Sequence, residues 1–582
     1  MTEEWARVPV GPESERWTTR PGRRTVLAIV HNVTSLTRLL DVVSLLHGDL
    51  RLQVLFTWTR SSPFVHDVEQ FLADIGAIVV PWEQACTIDA DLAIAASYGG
   101  ELGELKAPLV VVSHGMGYNK YLESRNRGIE ESRNRGIEES RNRGIEESRN
   151  RGIEESTSPG PVFGLSAGWL LHDGQPVAER IVLSHPEQLE RLRHGCPEAV
   201  PAAFVAGDPC YDRLLASLSH RRRYRRAFSV DDRRKLVVVT STWGRESLMG
   251  RLGELLRDLL AELPLDEYRV AAILHPNIWH GHGPWQVRSW LDACLRSGLI
   301  LLPPRDGWRA ALVASDLVIG DHGSVTFYGA ALGRPTLLGT FPHDAVDPAS
   351  PVARLGRTAP RLRTDRPLRP QIDQAIAEHE PGLHQAVTAH TTSVPGRSAE
   401  LLRAEFYRIM GLSEPATPPV VNRVPEPEDC VIREITATLA SASWDGDTVS
   451  VVRFPAGAAL NGESMPGGAH LAVDEREPEE RVIELADAVS CRADRLDRPA
   501  DDWLTETLEQ YPGCHLAAAE HLPGESLVRL RDGTTFHVTG GPVEVHASVV
   551  YTWTGRNRTP PPAESTVLLG PDAHRVSIKP AR

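Results

Sequence analysis

The chain has 582 residues, of which 41% are hydrophobic and 24% charged, and a net charge of −14. That length exceeds what one hydrophobic core organises, and the balance is globular, so a single small domain and a disordered chain are both excluded. No apolar run of about 18 residues occurs, and the first 24 residues hold no apolar signal segment, so the expected place is the cytoplasm, at most peripheral to the inner face of the membrane.

The seven cysteines stand singly, with no Cys-x-x-Cys pair, which argues against a disulfide framework or a zinc ribbon. Only four lysines (Lys106, Lys120, Lys235, Lys579) accompany many arginines. In so biased a composition arginine clusters do not point to nucleic acid, and none is expected as a partner. Residues 421–582 hold 26 acidic against 15 basic residues, so most of the net charge lies there and a domain boundary is expected near their start.

In chain order, Thr25–Val30 reads as a strand, followed by Thr34-Ser35 as a helix cap and a helix to about His47. Val54–Trp58, Ala77–Pro81, Asp91–Ser97 and Pro108–Ser113 read as further strands, with a helix over Phe64–Ile75. These runs are continuously apolar rather than alternating, as in parallel strands buried on both faces. From Ser124 to Glu155 the octapeptide Ser-Arg-Asn-Arg-Gly-Ile-Glu-Glu occurs four times without a substitution. A helix would carry successive isoleucines about 80° round its axis, so no apolar stripe forms, and the segment reads as a solvated insert from a tandem expansion. Arg180–Ser184 and Ala203–Gly207 continue the strands, with a helix over Pro186–Arg193 between them.

The basic stretch His220–Arg226 reads as a solvated linker or helix face. A second strand set follows at Lys235–Thr240, Arg269–Leu274, Leu299–Leu302, Leu317–Gly320 and Pro335–Leu338, with helices at 246–263, 285–296, 308–314, 325–332 and 398–410. Glu414–Glu428 is a Pro- and Glu-rich linker. Beyond it, strand-like Thr448–Phe454 and Glu544–Tyr551 mix with a helical Asp501–Tyr511. The expected architecture is α/β: an N-terminal Rossmann-like acceptor lobe over 25–215 (insert 124–155), a Rossmann-like nucleotide-donor lobe over 234–412 with a cleft between them, and an acidic α+β accessory domain over 430–582.

Two features carry candidate chemistry. The segment Leu317-Val-Ile-Gly-Asp-His-Gly-Ser-Val-Thr326 ends a buried strand at Asp321 and opens a helix. Gly323 allows close backbone approach, Ser324 and Thr326 supply hydroxyls, and the helix start suits a phosphate, although the same residues also describe an ordinary capped helix. The second feature is a pair of histidines at strand ends, His114 after Val-Val-Val-Ser and His275 after Ala-Ala-Ile-Leu. Histidine there can take a proton from a hydroxyl or bind phosphate, or be structural. His280 and His282 lack a carboxylate at ligand spacing, so neither metal nor cofactor is expected.

The ordered set His114-Gly, Gly207-Asp-Pro with Asp212, Thr240-Ser-Thr-Trp243 with Arg245, Leu274-His-Pro276 and Ser315–Ser324 resembles the CDP-glycerol glycerophosphotransferase family, the teichoic-acid polymerases and primases with GT-B architecture. The resemblance spans about residues 25–410. It implies His114 as base on an acceptor hydroxyl. It also implies that His275, Asp321, Gly323 and Ser324 hold the donor's pyrophosphate, with Thr242 and Arg245 close by and no metal. This chain departs from that pattern with Cys210 in place of an arginine and His322-Gly323 in place of Tyr-Ser. The expected substrates are a CDP- or UDP-linked donor and a hydroxyl acceptor such as a surface polymer or lipid-linked chain. A non-catalytic nucleotide-binding scaffold and a UDP-sugar 2-epimerase-like enzyme remain open beside it.

Overall fold

The computed structural model describes the chain except residues 1–4, 12–13, 15, 21–23, 63–66, 122–160, 460–467, 556–560 and 582. The octapeptide repeat and the start of the helix expected from Phe64 lie outside the described residues. Seven parallel strands form the first sheet. Their spatial order is Val79–Val80, Leu52–Trp58, Arg24–Val30, Leu92–Ala95, Leu109–Val111, Arg180–Leu183, Ala203–Val205. Five more form the second: Ile300–Leu301, Tyr268–Leu274, Lys235–Ser241, Leu317–Gly320, Thr336–Leu338. Val26 to Val30 have no exposed surface, because helices cover both faces. That two-sided burial is why the runs read as continuously apolar. In each sheet the first strand lies between the second and the fourth, so the winding direction reverses between first and fourth strands. A doubly wound sheet opens a crevice at the carboxyl ends of those two strands.

Local chemistry sets the helix ends. Asn32, rather than Thr34-Ser35, caps the first helix, Val33–Val43: its side chain accepts from the Ser35 N–H, and the Ser35 hydroxyl accepts from the Asn32 N–H. The stretches expected as single helices at 246–263 and 285–296 are each broken, into Leu248–Arg251 and Leu255–Glu262, and into Pro284–Trp290 and Asp292–Arg296.

The basic stretch is not simply solvated. It forms the helix Arg221–Ala227, whose Tyr224 and Arg225 are buried. Arg225 bonds the Ala314 carbonyl and the Asp316 carboxylate, and the Tyr224 hydroxyl donates to the Val424 carbonyl. Residues 422–424 of the linker are thereby laid against the protein surface, with Val424 buried. The helix Ser398–Ile409 follows the second sheet in sequence but packs on the first, where Leu402, Phe406 and Tyr407 join Val26, Ala28 and Leu39 in one core. Asp212 fixes its start by accepting from the N–H groups of Gly396 (2.6 Å) and Ser398 (2.9 Å).

The acidic C-terminal region is more specific than a mixed α+β module. Nine strands close into a barrel in the order Ala437–Asp445, Thr448–Pro455, Glu564–Leu569, Asp572–Pro580, Thr535–Thr539, Glu525–Leu530, Leu516–Leu522, Ala488–Cys491, His470–Asp474. The expected strand at Glu544–Tyr551 is a helix, His546–Thr554. Its Ala547, Val549 and Val550 share one core with the inward residues Val449, Val451, Val528, Val538, Val567 and Val576. Its β-branched content suggested a strand, and burial on nearly all sides overrode that propensity. The barrel docks beside the second sheet through Arg453, which grips Asp266, in the turn before the Tyr268–Leu274 strand, with two bonds of 2.7 and 3.0 Å. Among the described residues no helix is long and apolar enough to cross a membrane.

The two sheets are joined by a buried charge cluster. Asp41, on the first helix, pairs with Arg213 and with Arg309 (2.7 Å), the latter on the helix Trp308–Ala314 beside the second sheet. Burial pushes the Asp41 carboxyl up, but Arg309, Arg213 and Arg38 together hold it below the ordinary carboxylate range. Asp41→Ala would strand buried guanidinium groups. We expect a loss of about 3–5 kcal/mol in denaturant unfolding, partly recovered when Arg309→Met is added.

Candidate functional site

The carboxyl edges of the two sheets meet at one place. The loop His114-Gly-Met-Gly117, which follows the Leu109–Val111 strand, rests on Ser324 at the start of the helix Ser324–Ala331. The Met116 N–H donates to the Ser324 Oγ (3.1 Å), and a Cβ on Gly115 would lie 2.6 Å from that oxygen. Gly115 is therefore needed for the close approach. From the same loop the chain runs on to Lys120, which bridges Val346, while Asp347 N donates to Asn119 O (2.8 Å).

Asp321 is pinned. Its Oδ2 accepts from the Thr242 N–H and hydroxyl (2.8 and 2.9 Å) and from the Leu248 N–H (3.0 Å), while its Oδ1 accepts from the Gly323 N–H. It ties the first and fourth strands of the second sheet together across the crevice. Burial still pushes its carboxyl above the ordinary range. Thr326 is also internal, its hydroxyl accepting from the Asp321 N–H, with 1% of its surface exposed. Of the residues expected to touch a donor, Asp321, Thr242 and Thr326 thus shape the turn from within. Gly323 is the N-cap, and no side chain caps this helix. Its first N–H groups therefore lack a side-chain acceptor, which suits an anion. Arg245 is exposed on the turn after Thr242.

His275 ends the Tyr268–Leu274 strand and caps the next turn, its Nδ1 accepting from the Asn277 N–H (3.1 Å). That bond leaves the hydrogen of the neutral ring on Nε2, so His275 presents a donor. His114 lies edge-on to Phe163 (5.6 Å between ring centres), and its carbonyl accepts from Arg38 Nε. His114 and His275 sit within electrostatic reach of each other and of Lys120. The structure therefore brings together His114, His275, Gly323 and Ser324.

Three residues that the sequence reading left out of the site belong to the same cluster. His31, at the end of the first strand, bonds the Gly99 carbonyl through Nε2 (2.6 Å). His322 is 7% exposed and its Nδ1 has no hydrogen-bond partner among the described residues. Burial lowers the Lys120 ammonium below its ordinary range, and Asp321 offsets this in part. Among the described residues Lys120 has no ion-pair or hydrogen-bonded side-chain partner. Only its rarity in this chain, four lysines in all, could have drawn attention to it.

Burial is the main cause that lowers all four histidines, with the Lys120 charge contributing at His114, His275 and His322. His31 and His114 fall to about 4, and His275 and His322 to about 3. All four rings are neutral at pH 7. The Asp321 carboxylate beside this cluster is taken up by internal donors. Asp208 is equally committed: Oδ1 caps the helix Pro209–Ser217 and Oδ2 accepts from the Tyr328 hydroxyl (2.6 Å).

No family model matches the chain, and no curated protein does. Distantly similar solved structures include the wall teichoic acid polymerase TagF, 12% identical over 66% of this chain and 89% of that one, with a TM-score of 0.43. The UDP-GlcNAc 2-epimerase from Neisseria meningitidis is 13% identical over 66% and 99%, with a TM-score of 0.39. A glycosyltransferase from Rickettsia africae is 10% identical over 67% and 100%, with a TM-score of 0.36.

The lowered histidines set an acid limit. Between pH 6.5 and about 4 the unfolded chain binds protons that the folded one refuses, so stability falls as pH falls through that window, by up to about 1.4 kcal/mol per pH unit for each such group. Melting temperature measured from pH 7.5 to 4.5 should drop progressively, and His322→Asn should make the drop shallower.

Proposed function

We propose that the chain is a transferase that binds a nucleotide-activated donor between two Rossmann-like lobes and passes a glycerophosphate, polyol-phosphate or sugar to a hydroxyl acceptor. The observation that carries this reading is the contact of the His114–Gly117 loop with Ser324. It sets a proton-accepting ring beside a helix start without a side-chain cap, next to Lys120, and all of this lies at the crevice edges of two parallel sheets. Such a place draws a phosphate, because helix N–H groups, a lysine and an Nε2–H donor can share its charge while the low local dielectric strengthens each bond.

In this reading the donor's phosphates lie against Gly323, Ser324, His275 and Lys120, with the exposed Arg245 reaching in from the side. Asp321 and Thr242 position the turn rather than touch the donor. His114, neutral at pH 7, takes the proton from the acceptor hydroxyl as the oxygen attacks, and the nucleotide leaves with the phosphate charge stabilised in place. A CDP- or UDP-linked donor is the proposed substrate, and the family resemblance favours CDP-glycerol. An epimerase or hydrolase reading would need a free carboxylate facing the sugar ring, whereas Asp321 and Asp208 are already committed to internal bonds.

Two measurements test the proposal. In a thermal-shift screen of CDP, CDP-glycerol, CDP-ribitol, UDP and UDP-sugars, one nucleotide class at about 100 times its dissociation constant should stabilise by about 2.7 kcal/mol. Lys120→Met should remove most of that shift. His114→Ala should keep the shift yet cut turnover by about 100-fold or more. Stabilisation without turnover on any hydroxyl acceptor would leave a nucleotide-binding scaffold in its place, and no shift with any nucleotide would overturn both.

A further inference from the structure

The C-terminal barrel carries a second cluster of chemistry, far in sequence from the crevice. Its strands Leu516–Leu522, Glu525–Leu530 and Thr535–Thr539 are neighbours and antiparallel. Inward-facing Ser526, Val528, Phe536 and Val538 are buried, so Glu525 and His537 lie on the outer face. The ladder between the first two strands slips between Glu520 and Leu522, and the extra residue is His521. A bulge of this kind re-aims a side chain. Here one ligand atom from each of His521, Glu525 and His537 falls within 4.8 Å of the others. His537 Nε2 already stands 3.3 Å from Glu525 Oε2, and the rings of His521 and His537 have centres 5.3 Å apart. His521 Nδ1 is buried and has no hydrogen-bond partner among the described residues.

We propose that His521, Glu525 and His537 bind a zinc ion on the outside of the barrel. Ligand atoms about 2.0–2.1 Å from a tetrahedral zinc lie about 3.4 Å apart, so the His537–Glu525 pair needs no movement and His521 only a small one. Two imidazoles and one carboxylate suit a late first-row divalent metal, whereas calcium and magnesium demand oxygen ligands. The bound metal would tie three strands together beside the Pro523-Gly524 turn. It would also keep one coordination position open, for water or for a donor atom from a partner molecule. All three groups are half-buried on strands, so the set is held without being sealed from solution.

The test uses the full chain, free of tag histidines and stripped of metal, titrated with zinc against a chromophoric chelator. One zinc per chain should bind, and cobalt in its place should show visible absorption bands of a four-coordinate site. His521→Ala and His537→Ala should each weaken binding by more than about tenfold, with Glu525→Gln also weakening it. His282→Ala, at the end of the helix Pro276–His282, should bind as the natural chain does. Circular dichroism of each variant checks that the barrel is intact. No saturable zinc binding by the natural chain, or binding retained in the folded His521→Ala/His537→Ala double variant, would overturn the proposal.

Discussion

Asp41 ties the first helix, which packs on the first sheet, to the helix Trp308–Ala314 beside the second, and so helps to hold the two parallel sheets in one relation. Its carboxylate sits on the first helix, yet its partners Arg213 and Arg309 come from helices much later in the chain. Arg38, one turn earlier, lies over the rings of Trp308 and Tyr328 at 5.3 and 5.4 Å and also bonds the His114 carbonyl. One helix therefore holds both the neighbouring unit and the loop that carries His114. A buried carboxylate with several guanidinium partners is expensive to desolvate and unforgiving of misplacement, so it selects one geometry rather than many. Cys210 belongs to the same cluster, its sulfur 3.3 Å from Arg309 Nε. The chain thus places an arginine beside this cysteine from another helix.

Asp321 plays the corresponding part within the second sheet. A carboxylate that accepts from four donors cannot serve a ligand as well, but it can hold a turn open at the position a ligand needs. Beyond the Gly323 N–H, which the aspartate takes, the first N–H groups of the helix and the lysine across from it stay outside its hydrogen bonds. The division between residues that shape the site and residues left to meet a ligand follows from counting hydrogen-bond capacity, which no residue-type motif contains.

Most strands of both sheets were legible from their continuous apolar runs, since burial on two faces leaves a direct mark on composition. The turn after Leu317–Gly320 was legible as a strand-to-helix turn, whereas residue types alone left its part in binding, and that of the strand-end histidines, open. Lys120 was not legible. It stands beyond a glycine-rich loop with no periodicity around it, and its significance comes from Asp321 and Val346, more than 200 residues away. The His546–Thr554 helix was misread for a different reason. Valine and tyrosine favour strands where one face meets solvent, but this segment is packed largely among the barrel's apolar side chains, where a helix lets its backbone satisfy its own hydrogen bonds. The basic helix Arg221–Ala227 was obscured because Arg225 is buried through partners that sequence spacing does not reveal.

The return of the helix Ser398–Ile409 to the first sheet has a consequence during synthesis. The apolar face around Val26 and Ala28 leaves the ribosome early, but the helix that covers it follows about 370 residues later. At about 5–20 residues per second, that surface waits tens of seconds before its own chain can close over it. The first sheet is thus finished long after its first strand is made, and until then the apolar face that this helix covers stays open.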